Sequence, residues 1–256
     1  MKITFLGTGT SQGVPVIGCQ CDVCKSTDPR DQRLRSSLLV ELKDKRIVID
    51  CGPDFRQQML REKIRSLDAI LVTHSHKDHL GGLDDVRAFN YIQHKPVPVY
   101  ATEEMQEEIR IEYYYAFRGE RYPGVPEIEL HSFTNKPFHI EDTMVIPIKA
   151  IHYQHDQFVF GFRIDNLTYL TDVFRISDEE KEKIKGSEIV IVNALRKKKH
   201  YSHMNLEEAV ALLTELHPQK GLLTHISHQM GRYAEVETEL PENIFLAWDG
   251  LSIEFS

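Results

Sequence analysis

The stretch Thr73-His74-Ser75-His76-Lys77-Asp78-His79 crowds three histidines and an aspartate into the six positions from His74 to His79, and Gly81-Gly82 follow at once. It comes straight after the apolar run Ala69–Thr73, which has the length and composition of a buried strand. Imidazole nitrogen and carboxylate oxygen suit Zn²⁺, Mn²⁺ or Fe²⁺. Packing gives no reason for three histidines in one short loop. Nor can four such side chains all reach a single ion, so two ions about 3.5–4 Å apart fit better. In that reading His74 and His76 serve one ion, and Asp78 and His79 serve the other.

Two ions need further ligands, and three residues elsewhere end apolar runs in the same manner. His152 ends Met144–Ile151, Asp172 lies just past Thr168–Leu170, and His225 ends Gly221–Thr224. A strand end can open onto a cleft while the strand body stays rigid in its sheet. Asp172 is the natural bridge, because a carboxylate has two oxygens to share. His155, three residues beyond His152, competes for its place, and the strand pattern before it favours His152.

A second cluster lies near the N-terminus, in Cys19-Gln20-Cys21-Asp22-Val23-Cys24. Three thiolates from one loop leave the fourth corner of a tetrahedral zinc to another residue. Cys51, in Ile49-Asp50-Cys51-Gly52, and His228, in His225-Ile226-Ser227-His228, are the candidates. Cys51 also reads simply as a small buried thiol.

The His-x-His-x-Asp-His motif with distant His, Asp and His resembles the metallo-β-lactamase superfamily, over essentially the whole chain. The Gly7-Thr8-Gly9-Thr10 start, the Cys loop and Leu223-Thr224-His225-Ile226-Ser227-His228-Gln229 are similar to one branch of it, that of the phosphonate-operon phosphodiesterase acting on 5-phosphoribosyl 1,2-cyclic phosphate. The resemblance implies His74, His76 and His152 on one catalytic metal and Asp78, His79 and His225 on the other. Asp172 would bridge them, and a bridging hydroxide would be the nucleophile. It also implies a structural zinc on Cys19, Cys21, Cys24 and His228. Glu103–Leu130 and His152–Phe160 match that branch poorly, and those regions would shape the substrate pocket.

Cleaving a phosphodiester also needs a proton for the leaving oxygen, and histidine is the obvious donor. His203 immediately precedes a helical pattern and is claimed by no metal, and the branch it resembles has an acid/base histidine just before the corresponding helix. His200 is the next candidate. Arg196-Lys197-Lys198-Lys199 is a basic run in an acidic chain that could gather a phosphate, or simply a solvated loop. Asp50 is expected to orient the metal loop by hydrogen bonds without being a ligand. Whether Arg35, Ser36 and Ser37 face the site is open. His94, His131, His139 and His217 have no such context.

The surrounding pattern is α/β. Expected strands are Lys2–Leu6, a hairpin of Ser37–Leu42 and Arg46–Asp50, Ala69–Thr73, Val97–Tyr100, Met144–Ile151, Phe158–Ile164, Thr168–Leu170, Ile189–Val192, Gly221–Thr224, Ile244–Ala247 and Ser252–Phe255. Asp54–Lys63, Thr102–Ile111, Asp178–Lys185 and Leu206–Leu216 have helical spacing, with Ser177 and Asn205 as N-caps of the last two. Many strands with interspersed helices suggest two mixed sheets with outer helices, an αββα four-layer sandwich built as one domain over residues 1–256. The tyrosine-rich segment Glu103–Leu130 reads as a lid, an oligomer contact such as a homodimer face, or plain surface packed by its aromatics.

Composition narrows the classes. The net charge of −8 opposes a surface built for non-specific nucleic-acid binding. No run approaches the ~18 apolar residues of a membrane helix, and the first residues are too short an apolar run for a signal peptide, so a cytoplasmic enzyme is the expectation. The function that fits best is a metal-dependent phosphodiesterase acting on a small, cyclic or nucleotide-like phosphate ester, with two catalytic Zn²⁺ or Mn²⁺ and one structural Zn²⁺. Other readings are a tRNA 3′-end endonuclease, a lactam or thioester hydrolase, and a non-catalytic zinc module.

Overall fold

The computed structural model of the chain describes residues 1–119, 122–153 and 157–255. Its strands are β1 (Lys2–Gly7), β2 (Ser37–Leu42), β3 (Lys45–Ile49), β4 (Ala69–Leu71), β5 (Val97–Ala101), β6 (Ile128–Ser132), β7 (Phe138–Ile140), β8 (Thr143–Tyr153), β9 (Gln157–Ile164), β10 (Leu167–Tyr169), β11 (Ile189–Asn193), β12 (Lys220–Thr224), β13 (Ile244–Leu246) and β14 (Ser252–Glu254). Its α-helices are α1 (Phe55–Arg61), α2 (Lys77–Leu80), α3 (Arg87–Gln93), α4 (Glu103–Glu112), α5 (Asp178–Ile184), α6 (Leu206–Leu216) and α7 (Tyr233–Val236). The strands form two mixed seven-stranded sheets, and the chain divides into two compact units, each holding one of them.

The first unit is Met1–Leu6, Ser37–Thr134 and the C-terminal strand. Its sheet runs β14-β1-β2-β3-β4-β5-β6. The expected hairpin is present, with Leu38 opposite Ile49 and Leu42 opposite Lys45. From β3 to β6 the strands are parallel, which requires crossovers. Helices α1, α3 and α4 lie on those crossovers. Ile47–Ile49 and Ala69–Val72 are fully buried, and their unbroken apolar runs are what central parallel strands carry. Phe55 of α1 meets Phe89 of α3 edge-to-face at 6.2 Å.

The second unit is Gly7–Ser36 and Asn135–Leu251, with sheet order β13-β12-β11-β10-β9-β8-β7. Strands β10 to β13 are parallel, and β7 to β10 are antiparallel neighbours. Helix α6 buries Ala209, Leu212, Leu213 and Leu216, spaced as one face of a helix. Asn205 caps it: its side chain accepts from the Glu208 N–H, and Glu208 accepts from the Asn205 N–H, a reciprocal box worth about 1 kcal/mol. Ser177 caps α5 in the expected way. The N-terminal loop is tied down by Asp249, which accepts from the Thr8 N–H, the Thr8 hydroxyl and the Leu34 N–H. Buried Arg33 donates to the Ala247 carbonyl oxygen at 2.6 Å and to Thr8 Oγ1 at 2.8 Å.

Several elements were not expected. β6 (Ile-Glu-Leu-His-Ser) and β7 (Phe-His-Ile) are short edge-side strands with too few apolar residues to stand out. Glu103–Leu130 thus ends by entering the first sheet. Helix α3 begins in a 3₁₀ turn, Leu83–Val86, without a side-chain cap, and it ends at His94 with φ of 53°. Helices α2 and α7 are single turns. Among the described residues no helix is long and apolar enough to cross a membrane.

Candidate metal centres

The first unit holds the contiguous cluster. The chain leaves β4, passes Thr73 and His74, and re-enters a helix at Lys77, so His76 stands extended at the helix start with φ −62° and ψ 147°. Buried Asp50 organises the turn. Its carboxylate accepts from the Thr73 N–H at 2.9 Å, the Thr73 hydroxyl at 2.8 Å and His79 Nδ1 at 2.7 Å. The Thr73 hydroxyl spends its proton on Asp50, so its oxygen accepts from His74 Nδ1 at 3.0 Å. Both imidazoles therefore carry Nδ1–H and keep the lone pair on Nε2. This is how a carboxylate behind a histidine sets its ligating nitrogen. His74 Nε2 lies 3.0 Å from His76 Nδ1, and His79 Nε2 lies 3.1 Å from Asp78 Oδ2.

The Asp50 turn is itself clamped to this loop. Cys51 N–H donates to the His79 carbonyl and Gly82 N–H to the Cys51 carbonyl, both at 2.8 Å. A Cβ on Gly82 would lie 2.2 Å from the Gly52 carbonyl oxygen, so only glycine allows this approach. Cys51, the alternative fourth cysteine ligand, is buried in this unit, and burial drives its thiol far above the ordinary range.

The second unit gathers its candidates from separate strand ends. His152, next to last in β8, donates Nδ1–H to the Asp172 carbonyl at 2.6 Å, which again leaves the lone pair on Nε2. Asp172, three residues past β10, accepts from the Thr171 hydroxyl at 2.7 Å and lies 3.1 Å from His225 Nδ1. Ser36 Oγ is 3.2 Å from the same nitrogen. Asp50, Asp172 and His225 all adopt left-handed φ, of 64°, 59° and 54°. Such conformations cost about 1–2 kcal/mol each and persist where surrounding bonds enforce them.

His203 joins this group. One ligand atom from each of His152, Asp172 and His203 lies within 4.8 Å of the others. Its ring packs 4.9 Å from that of His152 and stacks 5.0 Å from that of His225. Nδ1 faces Asp172 Oδ1 at 3.7 Å, beyond hydrogen-bond reach. Burial pushes this imidazole down to about 3, against the pull of the Asp172 carboxylate. His200 lies next to it, with rings 5.3 Å apart. The alternative ligand His155 lies outside the described residues.

The cysteine cluster also lies in the second unit. Cys19, Cys21, Cys24 and His228 offer four ligand atoms within 4.8 Å of one another. Cys19 Sγ and Cys21 Sγ lie 3.3 and 3.4 Å from His228 Nδ1. A tetrahedral zinc with ordinary bond lengths separates sulfur and nitrogen by roughly 3.5 Å, so the donor set fits. The Cys24 N–H bonds to Cys21 Sγ and, with His228 and Cys19, draws that thiol down to about 6. The two nitrogens of His74 and His76 pass the same test, since tetrahedral zinc spaces two nitrogens by roughly 3.3 Å.

The sequence points to the hydrogen-bonding role of Asp50 and leaves Ser36 open, but it carries no sign of the hydroxyls of Thr73 and Thr171. A lone Ser or Thr has no pattern of its own that points to its partner.

The family model described as the beta-lactamase superfamily domain matches residues 45–226. A solved structure described as a new diphosphatase from the PhnP family superposes with a TM-score of 0.92 at 38% identity, covering 100% of this chain and 98% of that one. An octanoyltransferase of Porphyromonas gingivalis is 40% identical over 255 residues, 98% of this chain but 51% of that protein. Ribonuclease Z of Bradyrhizobium diazoefficiens is 40% identical over 83 residues, 32% of this chain and 22% of that enzyme. This chain thus spans about half the length of the octanoyltransferase it matches.

Proposed function

The chain belongs to the metallo-β-lactamase superfamily, in its PhnP branch, and is a hydrolase of that fold; from this premise we propose that it hydrolyses a small phosphodiester, cyclic or nucleotide-like. The fold implies divalent metal binding, and the His and Asp groups suit it. In this reading His74, His76 and His152 hold one ion, Asp78, His79 and His225 hold a second, and the carboxylate of Asp172 is shared. Zn²⁺ and Mn²⁺ both match these donors. Such a pair of ions, when bound, neutralises phosphate charge and makes water nucleophilic at neutral pH. Cys19, Cys21, Cys24 and His228 would hold a third, structural Zn²⁺.

The reading rests on His203. It is a partly exposed imidazole packed against His152 and His225, beside the Asp172 carboxylate, and it has no ligand role in the proposed set. Its Nδ1 faces Asp172, so Nε2 is the nitrogen that would hand a proton to the leaving oxygen. A phosphate anion alongside supplies the negative charge that favours that proton. Asp172 steadies the charged ring, and the capped start of α6 fixes the backbone two residues on. The neighbouring basic run is largely committed locally. Arg196 donates to the Lys198 and Lys199 carbonyls and to Gln229, and Lys197 pairs with Glu239. Lys198 and Lys199 remain exposed to meet an anion.

Hydrolysis of bis-p-nitrophenyl phosphate and of a ribose cyclic phosphate by metal-replete protein tests this. Asp78→Ala and His203→Ala should each lose about 10²–10⁴-fold in kcat, the usual worth of a positioned acid or base. Absence of any phosphodiester cleavage by the wild type would refute the proposal. The ribonuclease Z likeness favours a second reading, cleavage at the 3′ end of a precursor tRNA. That activity would fall steeply with salt, and the net charge of −8 weighs against it.

A further inference from the structure

Beside the candidate acid, the second unit leaves two tyrosines unspent. Tyr201 is 61% exposed and Tyr153 is 44% exposed, and their rings meet edge-to-face at 5.6 Å and 86°. His200 stacks on Tyr201 at 4.2 Å, with 29° between planes. His200 in turn lies beside His203, and His203 beside His152. Ring contacts therefore run without a break from a candidate metal ligand, through the candidate acid, to an open aromatic surface. Tyr153 is the residue after His152, and Tyr201 comes two before His203.

Exposed aromatics alone mean little. Tyr91, Tyr114 and Tyr122 of the first unit are also exposed, and the ring contacts of Tyr114 lead to Tyr115, whose hydroxyl donates to Asp84, rather than to the candidate acid. The Tyr153–Tyr201 pair differs because it adjoins the reacting end of the proposed site. Lys198 and Lys199, three and two residues before Tyr201, add exposed positive charge on the same loop. A flat, π-rich group attached to a phosphate matches this combination. A base-free sugar phosphate would leave the tyrosines in water.

We propose that Tyr201 and Tyr153 form a stacking subsite for a nucleobase, so that the preferred substrate is a nucleoside phosphodiester rather than a base-free ribose phosphate. This deepens the phosphodiesterase reading and rests on it for the turnover arm of its test. Both tyrosines are positioning residues: they hold the base and touch no reacting atom.

Two measurements on the metal-replete protein separate the claims. Calorimetry compares AMP with ribose 5-phosphate, and kinetics compares a nucleoside 2′,3′-cyclic phosphate with a base-free ribose cyclic phosphate. Base stacking on an aromatic side chain is worth about tenfold or more. AMP should therefore bind about tenfold tighter than ribose 5-phosphate, and kcat/KM should favour the nucleotide by a similar factor, carried mainly in KM. Tyr201→Ala should collapse both ratios towards one, and Tyr201→Phe should retain them. Equal binding of the two probes, or a preference that survives Tyr201→Ala and Tyr153→Ala together, overturns the subsite. If phosphodiesters are cleaved with no base preference, the subsite falls and the phosphodiesterase reading stands. If AMP is preferred through Tyr201 while no phosphodiester is cleaved, the subsite stands and the reading falls.

Discussion

The two halves of the proposed catalytic ligand set are supported in opposite ways. In the first unit, four candidate ligands sit in one turn, and a single buried carboxylate, Asp50, sets the ring orientation of His79 directly and of His74 through Thr73. In the second unit, three candidates come from three strand ends and are propped from several sides: the Asp172 carbonyl holds His152, Thr171 holds the Asp172 carboxylate, and both that carboxylate and Ser36 meet His225 Nδ1. A shared support concentrates risk, whereas separate supports spread it.

The largest effect should therefore come from Asp50→Ala. It strands the Thr73 N–H, the Thr73 hydroxyl and His79 Nδ1 in a buried turn, at about 1–3 kcal/mol per unsatisfied group. Denaturant unfolding should show a loss of about 3 kcal/mol or more, and metal affinity should fall about 10–100-fold. A variant with wild-type stability and metal content would break the contrast. Next comes Cys21→Ala, which removes one thiolate from the cysteine cluster. Elemental analysis should show the loss of one zinc per chain, and the melting temperature should become insensitive to the first equivalent of chelator. Asn205→Ala removes the cap that anchors the start of α6, at about 1 kcal/mol. It should lower stability by that amount and kcat more than metal content, since His203 lies two residues upstream. Ser36→Ala is the mildest, because it touches His225 alone among the candidates. It should cost about 0.5–1.5 kcal/mol and leave the metal stoichiometry intact. A loss as large as that of Asp50→Ala would erase the distinction between the two units.

The same contrast explains what could be read in advance. His74 to His79 was legible because a local turn brings contiguous residues together whatever the rest of the fold does. His152, Asp172 and His225 were legible less directly, as polar residues at the ends of apolar runs. The parallel register of β10, β11 and β12 brings two of those ends to one edge of the sheet. The hydroxyl partners were not legible, because a serine or threonine bond depends on which backbone passes by. The Tyr153–Tyr201 contact joins residues 48 apart in sequence and has no periodicity. β6 and β7 were missed because Glu129, His131 and His139 dilute their apolar content. Of the histidines without such context, His94 and His217 are left-handed helix ends, and His131 stacks on Tyr100 at 4.8 Å.

The most direct test of the central claim is a titration of divalent metal into chelated protein while hydrolysis of a ribose cyclic phosphate is followed. The account predicts no turnover when only the cysteine cluster is filled, then activity that rises and saturates as two further ions bind per chain. Protein that binds a single zinc at the cysteines and cleaves no phosphodiester at any metal load would contradict it.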